Sequence, residues 1–522
     1  MLDWTIRQAK VVDGTGSPWF RADVGIEGDR VATIGRIPEG WAEREIDAEG
    51  YVLAPGFIDI HTHSDLPLVV DPRAEGKIRQ GVTTEVIGHC GFAVAPLVGN
   101  MVDQMRRRLA TYDPPAELDW ATMDEYLGRL ERQGVGVNCV ALAGHGTLRT
   151  GVMGVKDSPP TADEGEAMAR LLQEAMDAGA IGISTGLIYP PSSYAGTDEL
   201  IALAQVASAR GGLYFSHVRG DGPGATEGIR EAIEIARRAA LPCQIAHMHG
   251  VYEDALIVEK ARREGLDVTY DQYPYTAGSG PLKTLIPAWA HEGGNDAIVS
   301  RLSDPASRRG IRDEMIAGTV VGEIDWSKIV VCKVGTEENV RYEGTSMDRI
   351  AEEVHKDPFD ALFDLLIEEH ADAGMIKFGQ SEEGVRKVMG LSGYMVGSDG
   401  SALAADGPLS TGKPHPRSYG TFPRVLGVYV REEQVVTLEA AVRQMTSAPA
   451  NRLGLPHRGV VRPGMYADLV LFDEKIVADA ATYTDPHRYP IGIEYVMVNG
   501  CLAVEKGQRL DVLAGRVLRD RR

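Results

Sequence analysis

The sequence predicts an α/β protein: a (β/α)8 TIM barrel plus a small β-sandwich domain formed by the N- and C-terminal segments. Two observations carry this expectation. Across the middle of the chain, eight apolar runs bounded by glycine alternate with helical stretches, the pattern of buried parallel strands with crossover helices. Hairpin texture, rich in Val and Ile, fills roughly the first 50 residues and returns after Leu455. The expected limits are 1–54 and 451–522 for the two parts of the β domain and 55–450 for the barrel. A doubly wound sheet is the competing arrangement of the same units.

Each element has its own reason. WTIRQAKVVDG, ADVGIEGDRVATIG and EREIDAEGYVLAPG alternate and are punctuated by Asp-Gly or Gly-Asp. Their counterparts near the C-terminus are GVVRPGMYADLVLFD and IGIEYVMVNGCLAVEKGQ. Neither end is long enough to bury a core alone, so the two are expected to pack together. The barrel strands read GFIDIHTH, TTEVIGHCG, VGVNCVALAGHG, AIGISTGLIY, GLYFSHV, PCQIAHMHG, LDVTYDQYPY and YMVGSDG. Thr161 with Glu164 three residues on is a capping box that opens a helix stopped by glycine. Between the seventh and eighth strands, residues 281–342 are too many for a loop and predict an inserted subdomain or lid.

The charge balance narrows the partners. With 54 Lys+Arg against 75 Asp+Glu, the net charge of −21 argues against nucleic acid, whose affinity comes from basic side chains on phosphates. No apolar run approaches the ~20 residues that cross a bilayer, and the N-terminus lacks a signal peptide's apolar stretch, so no membrane partner is expected. Cys90, Cys139, Cys243, Cys332 and Cys501 lie far apart and are odd in number. That favours a reducing, cytoplasmic setting over a disulfide framework. No repeat or heptad fixes an oligomeric state.

Chemistry concentrates at the strand ends. His61 and His63, two apart, share a face after the first strand. Strand two ends in His89 and Cys90, strand five in His217, strand six in His247 and His249, and strand eight in Asp399. Alone, an HxH is as well read as two surface histidines. Together, imidazole, thiolate and carboxylate at the C-terminal rim of a barrel, where such folds place their sites, point to a metal centre. His145, flanked by glycines, is read as structural or as a residue that supports the ligands from behind. Asp399 is either a plain ligand or the general base beside a metal-activated water.

These residues fit a wider pattern. APGFIDIHTHSD at 54–65, the β segments at both ends and SDG at 398–400 resemble the amidohydrolase superfamily, whose members hydrolyse amides with one or two metals in a distorted TIM barrel. IGHCGF, GHGTLR, ISTGLIYPP, SHVRG, DQYPYTAGS, HPRSYGTFPRVLGVYVRE and MTSAPANRLGL together resemble its N-acyl-D-amino-acid deacylase (D-aminoacylase) branch over nearly the whole chain. The resemblance implies a tight zinc on Cys90, His217 and His247, with His61 and His63 completing a second, weaker position and Asp399 adjoining as ligand and acid/base. Strand four, ISTGLIY, lacks the lysine that many superfamily members carbamylate, which suits a thiolate in its place.

By the same resemblance Tyr189 meets the substrate near the scissile amide, and Arg417 grips its α-carboxylate through paired hydrogen bonds. Tyr275 and His249 are further substrate contacts, His249 standing where the family has a lysine; Tyr273 and Ser279 are weaker candidates. The reaction implied is zinc-dependent hydrolysis of a small N-acyl-D-amino acid to a carboxylate and a free D-amino acid. Metal-bound hydroxide is its nucleophile. With histidine in the lysine's place, aliphatic, Met or aromatic side chains are the expected substrates. A cyclic amidohydrolase or dipeptidase of hydantoinase or dihydroorotase type is the alternative, and a non-catalytic metal-binding protein a remote one.

Overall fold

Eight short parallel strands form a ring in the computed structural model, which describes all residues except 100, 221–224, 249–250, 319–322 and 520–522. They are β1 (Phe57–Asp59), β2 (Val82–Ile87), β3 (Asn138–Ala141, continued by Ala143–Gly144) and β4 (Gly182–Gly186). Next come β5 (Leu213–His217), β6 (Cys243–Ile245), β7 (Val268–Gln272) and β8 (Tyr394–Val396). Pairing follows chain order from β1 to β8, and a parallel bridge between Thr62 and Gly400 links the end of β8 back to β1. Every residue of these strands is buried, which is why they read as continuous apolar runs rather than alternating ones. Ile58, Val86, Val140, Phe215 and Met395 pack on one another from five different strands. Their neighbours Phe57, Ile87, Cys139 and Tyr214 join the larger core under the helices.

The second helix after β3, Ala162–Asp177, starts where the sequence says it should. Thr161 Oγ1 accepts from the Glu164 amide at 3.3 Å, and the Glu164 carboxylate accepts from the Thr161 amide at 2.8 Å. Met168, Leu172, Ala175 and Met176 form its buried stripe.

The two chain ends meet in a single nine-stranded sheet. Val52–Pro55 pairs antiparallel with Leu469–Phe472, joining N-terminal to C-terminal strands, and Ile6, Val24, Leu53, Leu469 and Leu471 share a core. The C-terminal segment then runs along the barrel, with Leu518 N donating to Cys139 O at 2.7 Å.

Between β7 and β8 the chain builds a separate unit. Residues 277–281, 374–378 and 329–333 form an antiparallel sheet in that order, over a core that includes Leu282, Leu302, Met347, Phe363 and Leu366. It is longer than the 281–342 stretch marked in the sequence. Its helices at Met347–Glu353 and Pro358–Glu368 carry the same amphipathic pattern as barrel helices, so periodicity cannot tell them apart. Among the described residues no helix is long and apolar enough to cross a membrane.

Candidate metal centre and active site

The turns after β1 and β8 are stitched together. Asp399 N donates to His61 O at 2.8 Å, and His63 N donates to Gly400 O at 2.9 Å. Beneath them, Asp59 accepts from the backbone of Ser398 at 2.8 Å and of His61 at 3.4 Å. Lys77 Nζ holds this carboxylate at 2.8 Å and donates to Ser398 Oγ at 2.7 Å, with no exposed surface on either charged side chain. Removing one partner of such a pair leaves an uncompensated buried charge. Lys77→Met is therefore expected to lower unfolding stability by about 3–5 kcal/mol. Urea unfolding checks this, and a midpoint equal to the parent's overturns it.

Cys90 sits in a turn after β2 whose Gly88, Cys90 and Gly91 all have positive φ. Gly91 N donates to Ser184 Oγ at 3.1 Å, and a Cβ on Gly186 would lie 2.1 Å from the Cys90 carbonyl oxygen, so β4 carries glycine there. His247 (φ 31°) and Asp399 (φ 51°) share with Cys90 (φ 53°) a left-handed backbone that residues with a Cβ rarely adopt. Three strained residues at one rim are the signature of a site whose geometry is imposed by its surroundings. Part of that imposition is Asp271, at the end of β7. Its carboxylate accepts from the His61 ring Nδ1 at 3.0 Å, from the His247 backbone at 2.9 Å and from Gln244 Nε2 at 2.9 Å. Nδ1 of His61 is thereby the protonated nitrogen, and Nε2 keeps its lone pair.

One ligand atom each from His61, Cys90, His247 and Asp399 lie within 4.8 Å of one another, all four residues buried. Cys90 Sγ is 3.4 Å from His61 Nε2 and 3.7 Å from His247 Nε2. Asp399 Oδ1 stands 3.3 Å from His61 Nε2 and 2.9 Å from His63 Nε2. Tetrahedral zinc with bonds of 2.0–2.3 Å spaces its ligand atoms by roughly 3.3–3.8 Å, and the Cys90–His61, Cys90–His247 and Asp399–His61 separations fall in that range. Two members of the implied tight set, Cys90 and His247, are in this quartet. The third, His217, stands edge-on to His247 at 4.2 Å between ring centroids, with Tyr189 edge-on to it at 5.0 Å.

Burial holds His61 well below its ordinary pKa, keeping the ring neutral. Burial also pushes the Cys90 thiol well up, and Asp399 and Asp271 add to this. Burial alone would raise Asp399 too. The Arg417 charge and the hydrogen bond from His63 reverse that and hold its carboxyl well below the usual range. A neutral imidazole, an ionised carboxylate and a thiol that ionises beside a cation are what a borderline-soft divalent ion binds.

The centre opens into a cavity of about 280 Å³ lined by His63, Cys90, Tyr189, His217, Tyr273 and Asp399 among others. Arg417 lies behind Asp399, its Nη1 2.8 Å from Oδ2, its Nη2 donating to Ser279 O at 3.3 Å, its guanidinium 5.0 Å from the Tyr273 ring centroid. Tyr275 is not part of the cavity lining. It packs edge-on against His415 at 5.1 Å and under the Arg424 guanidinium at 5.0 Å, whereas Tyr273, two residues earlier, lines the cavity. His249 falls outside the described residues. His145 is buried, with Nδ1 2.9 Å from Ser192 Oγ and Nε2 3.0 Å from Glu199 Oε1. Asp271 and Lys77 escaped the sequence reading; an acid ending an apolar strand, in VTYDQ, is the signal that marks the first.

Comparison with known proteins places the chain in a family. The amidohydrolase family profile matches residues 44–284 and 398–504. The chain is 38% identical to the N-acyl-D-glutamate deacylase of Alcaligenes xylosoxydans xylosoxydans over 510 residues, 96% of this chain and 93% of that one. It is 36% identical to the D-aminoacylase of the same organism over 533 residues, covering 99% and 97%. The crystal structure of the Bordetella bronchiseptica N-acyl-D-glutamate deacylase, with zinc and a phosphonate mimic of the tetrahedral intermediate, superposes with a TM-score of 0.83 at 34% identity over 99% of this chain and 100% of that one. With its strand-end histidines, thiol and carboxylate on the same barrel, this chain belongs to the amidohydrolase family.

Proposed function

We propose that this chain is a zinc-dependent deacylase of N-acyl-D-amino acids, releasing a carboxylate and a free D-amino acid. The reading rests on the close quartet of His61, Cys90, His247 and Asp399 opening into a cavity, with Arg417 against Asp399. The likeness to the deacylases named above supports it. Cys90, His217 and His247 would hold the tight zinc, and His61, His63 and Asp399 would form the side for a second, weaker metal. Zinc there supplies Lewis-acid polarisation of the acyl carbonyl and acidifies a water toward neutrality.

The chain's own groups do the rest. Asp399 takes the proton of the attacking water at its carboxylate and returns it to the departing nitrogen, so that no amide anion is expelled. Asp271 keeps His61 and His247 oriented, as an outer carboxylate does for metal-bound histidines. Arg417 offers its guanidinium fork to the substrate's α-carboxylate, and Tyr189 stands near the scissile amide. Residues 1–54 and 451–522 act as one β domain built on the sheet they share, next to the barrel of 55–450, a division supported by their separate core around Ile6, Leu53 and Leu471.

The test compares N-acetyl-D-methionine, its L enantiomer and a hydantoin, with zinc measured on the same sample. Hydrolysis of the D substrate in proportion to bound zinc is expected. Preference for the L form or for the hydantoin overturns the reading.

A further inference from the structure

The cavity has two chemically unlike sides. The ends of β4 to β6 and the helices after them contribute the apolar Ile188, Val218, Ile229, Met248 and Val251, together with Asp254. The inserted unit contributes Ser279, Lys377 and Gln380. Strand alternation explains this second side. In the 374–378 strand Met375 and Lys377, followed by Gly379, line the cavity, whereas Ile376 and Phe378 pack with Ala277 and Cys332. The neighbouring strand pairs Gly278 with Lys377 and Gly280 with Met375. A Cβ on Gly278 would meet only the Tyr273 hydroxyl, at 3.2 Å, and one on Gly280 only the Tyr189 hydroxyl, at 3.7 Å. Two bare positions beside the lysine thus leave room in front of it.

Arg417 belongs to this same side, through Ser279 O and the Tyr273 ring. Tyr273 in turn takes a hydrogen bond from Gln380 Nε2 at 2.8 Å. The α-carboxylate that Arg417 receives therefore brings the amino acid's side chain toward the insert and leaves the acyl group to the apolar side. Among the described residues that line the cavity, Lys377 is the one lysine or arginine; Arg417 stands just behind the lining, against Asp399.

We propose that Lys377 is a specificity residue whose ammonium receives a second carboxylate, so that the preferred substrates are N-acyl derivatives of acidic D-amino acids. This rests on the deacylase reading above. It also departs from the neutral side chains that His249 suggests, because the positive charge comes from a strand of the insert and not from β6.

The experiment measures kcat/KM for N-acetyl-D-glutamate, N-acetyl-D-aspartate and N-acetyl-D-methionine with the parent, Lys377→Gln and Lys377→Arg enzymes. A charge-assisted contact is worth a factor of about 10–100. The parent is expected to favour an acidic substrate over the methionine one. Lys377→Gln should lose about that factor on the acidic substrates, mainly in KM, with the methionine substrate within about twofold, and Lys377→Arg should restore most of it. Retained turnover of the methionine substrate reports an intact fold. A parent that favours methionine, or a Gln variant that weakens all three substrates equally, overturns the assignment of Lys377 alone. A parent that hydrolyses none of the three removes the deacylase reading itself.

Discussion

Cys90→Ala is expected to lose its tightly bound zinc and about a thousandfold in kcat/KM. The thiol is buried, and its pKa is pushed well up by that burial and by Asp399 and Asp271, so it ionises only against a cation. Its Sγ lies 3.4 Å and 3.7 Å from the Nε2 atoms of His61 and His247. Alanine removes the one soft donor of the quartet and leaves imidazoles and a carboxylate that bind many divalent ions less selectively. Zinc content after gel filtration, measured with activity on the same fraction, checks both halves. A variant that keeps stoichiometric zinc and parental turnover shows that the thiol is not a ligand.

Asp399→Asn is expected to keep zinc and lose a factor of about 10²–10⁴ in kcat. Asparagine has the same shape and still accepts at Oδ1, but it cannot carry a proton from the attacking water to the leaving nitrogen. Asp399 is held ionised by Arg417, 2.8 Å from Oδ2, and by His63, 2.9 Å from Oδ1. The neutral side chain also frees the Arg417 guanidinium, so KM for an anionic substrate should not rise. Steady-state kinetics with metal analysis separate the two effects. Parental kcat in the zinc-loaded variant removes the acid/base role, and loss of zinc with activity makes Asp399 chiefly a ligand.

Much of the centre is legible in the chain because each donor follows its own apolar run. FIDI before His61, and the runs before Cys90, His217, His247 and Asp399, put polar side chains at the same end of successive strands. What the runs do not convey is which donors meet. His61 and Asp399 come together because the turns after β1 and β8 hydrogen-bond to each other across 338 positions, and sequence spacing carries no trace of that. Tyr275 and Tyr273 illustrate the same limit. Both follow strand seven with equal aromatic character, yet Pro274 lies between them and the chain turns so that one lines the cavity and the other packs on His415. Lys77, in EGKIRQG, reads as an ordinary helix-surface lysine and is instead fully buried against Asp59.

By itself, then, the amino-acid order determined the strand–helix alternation, the strand-end donors and the capping box at Thr161. All of these are local, set by periodicity and by hydrogen bonds a few residues long. The tertiary structure alone decided the quartet, the carboxylate of Asp271 behind two of its histidines, the sheet shared by the chain ends and the lysine that the insert carries to the cavity. Those depend on contacts between residues far apart in the chain, where burial and ring closure, not neighbours in sequence, choose the partner.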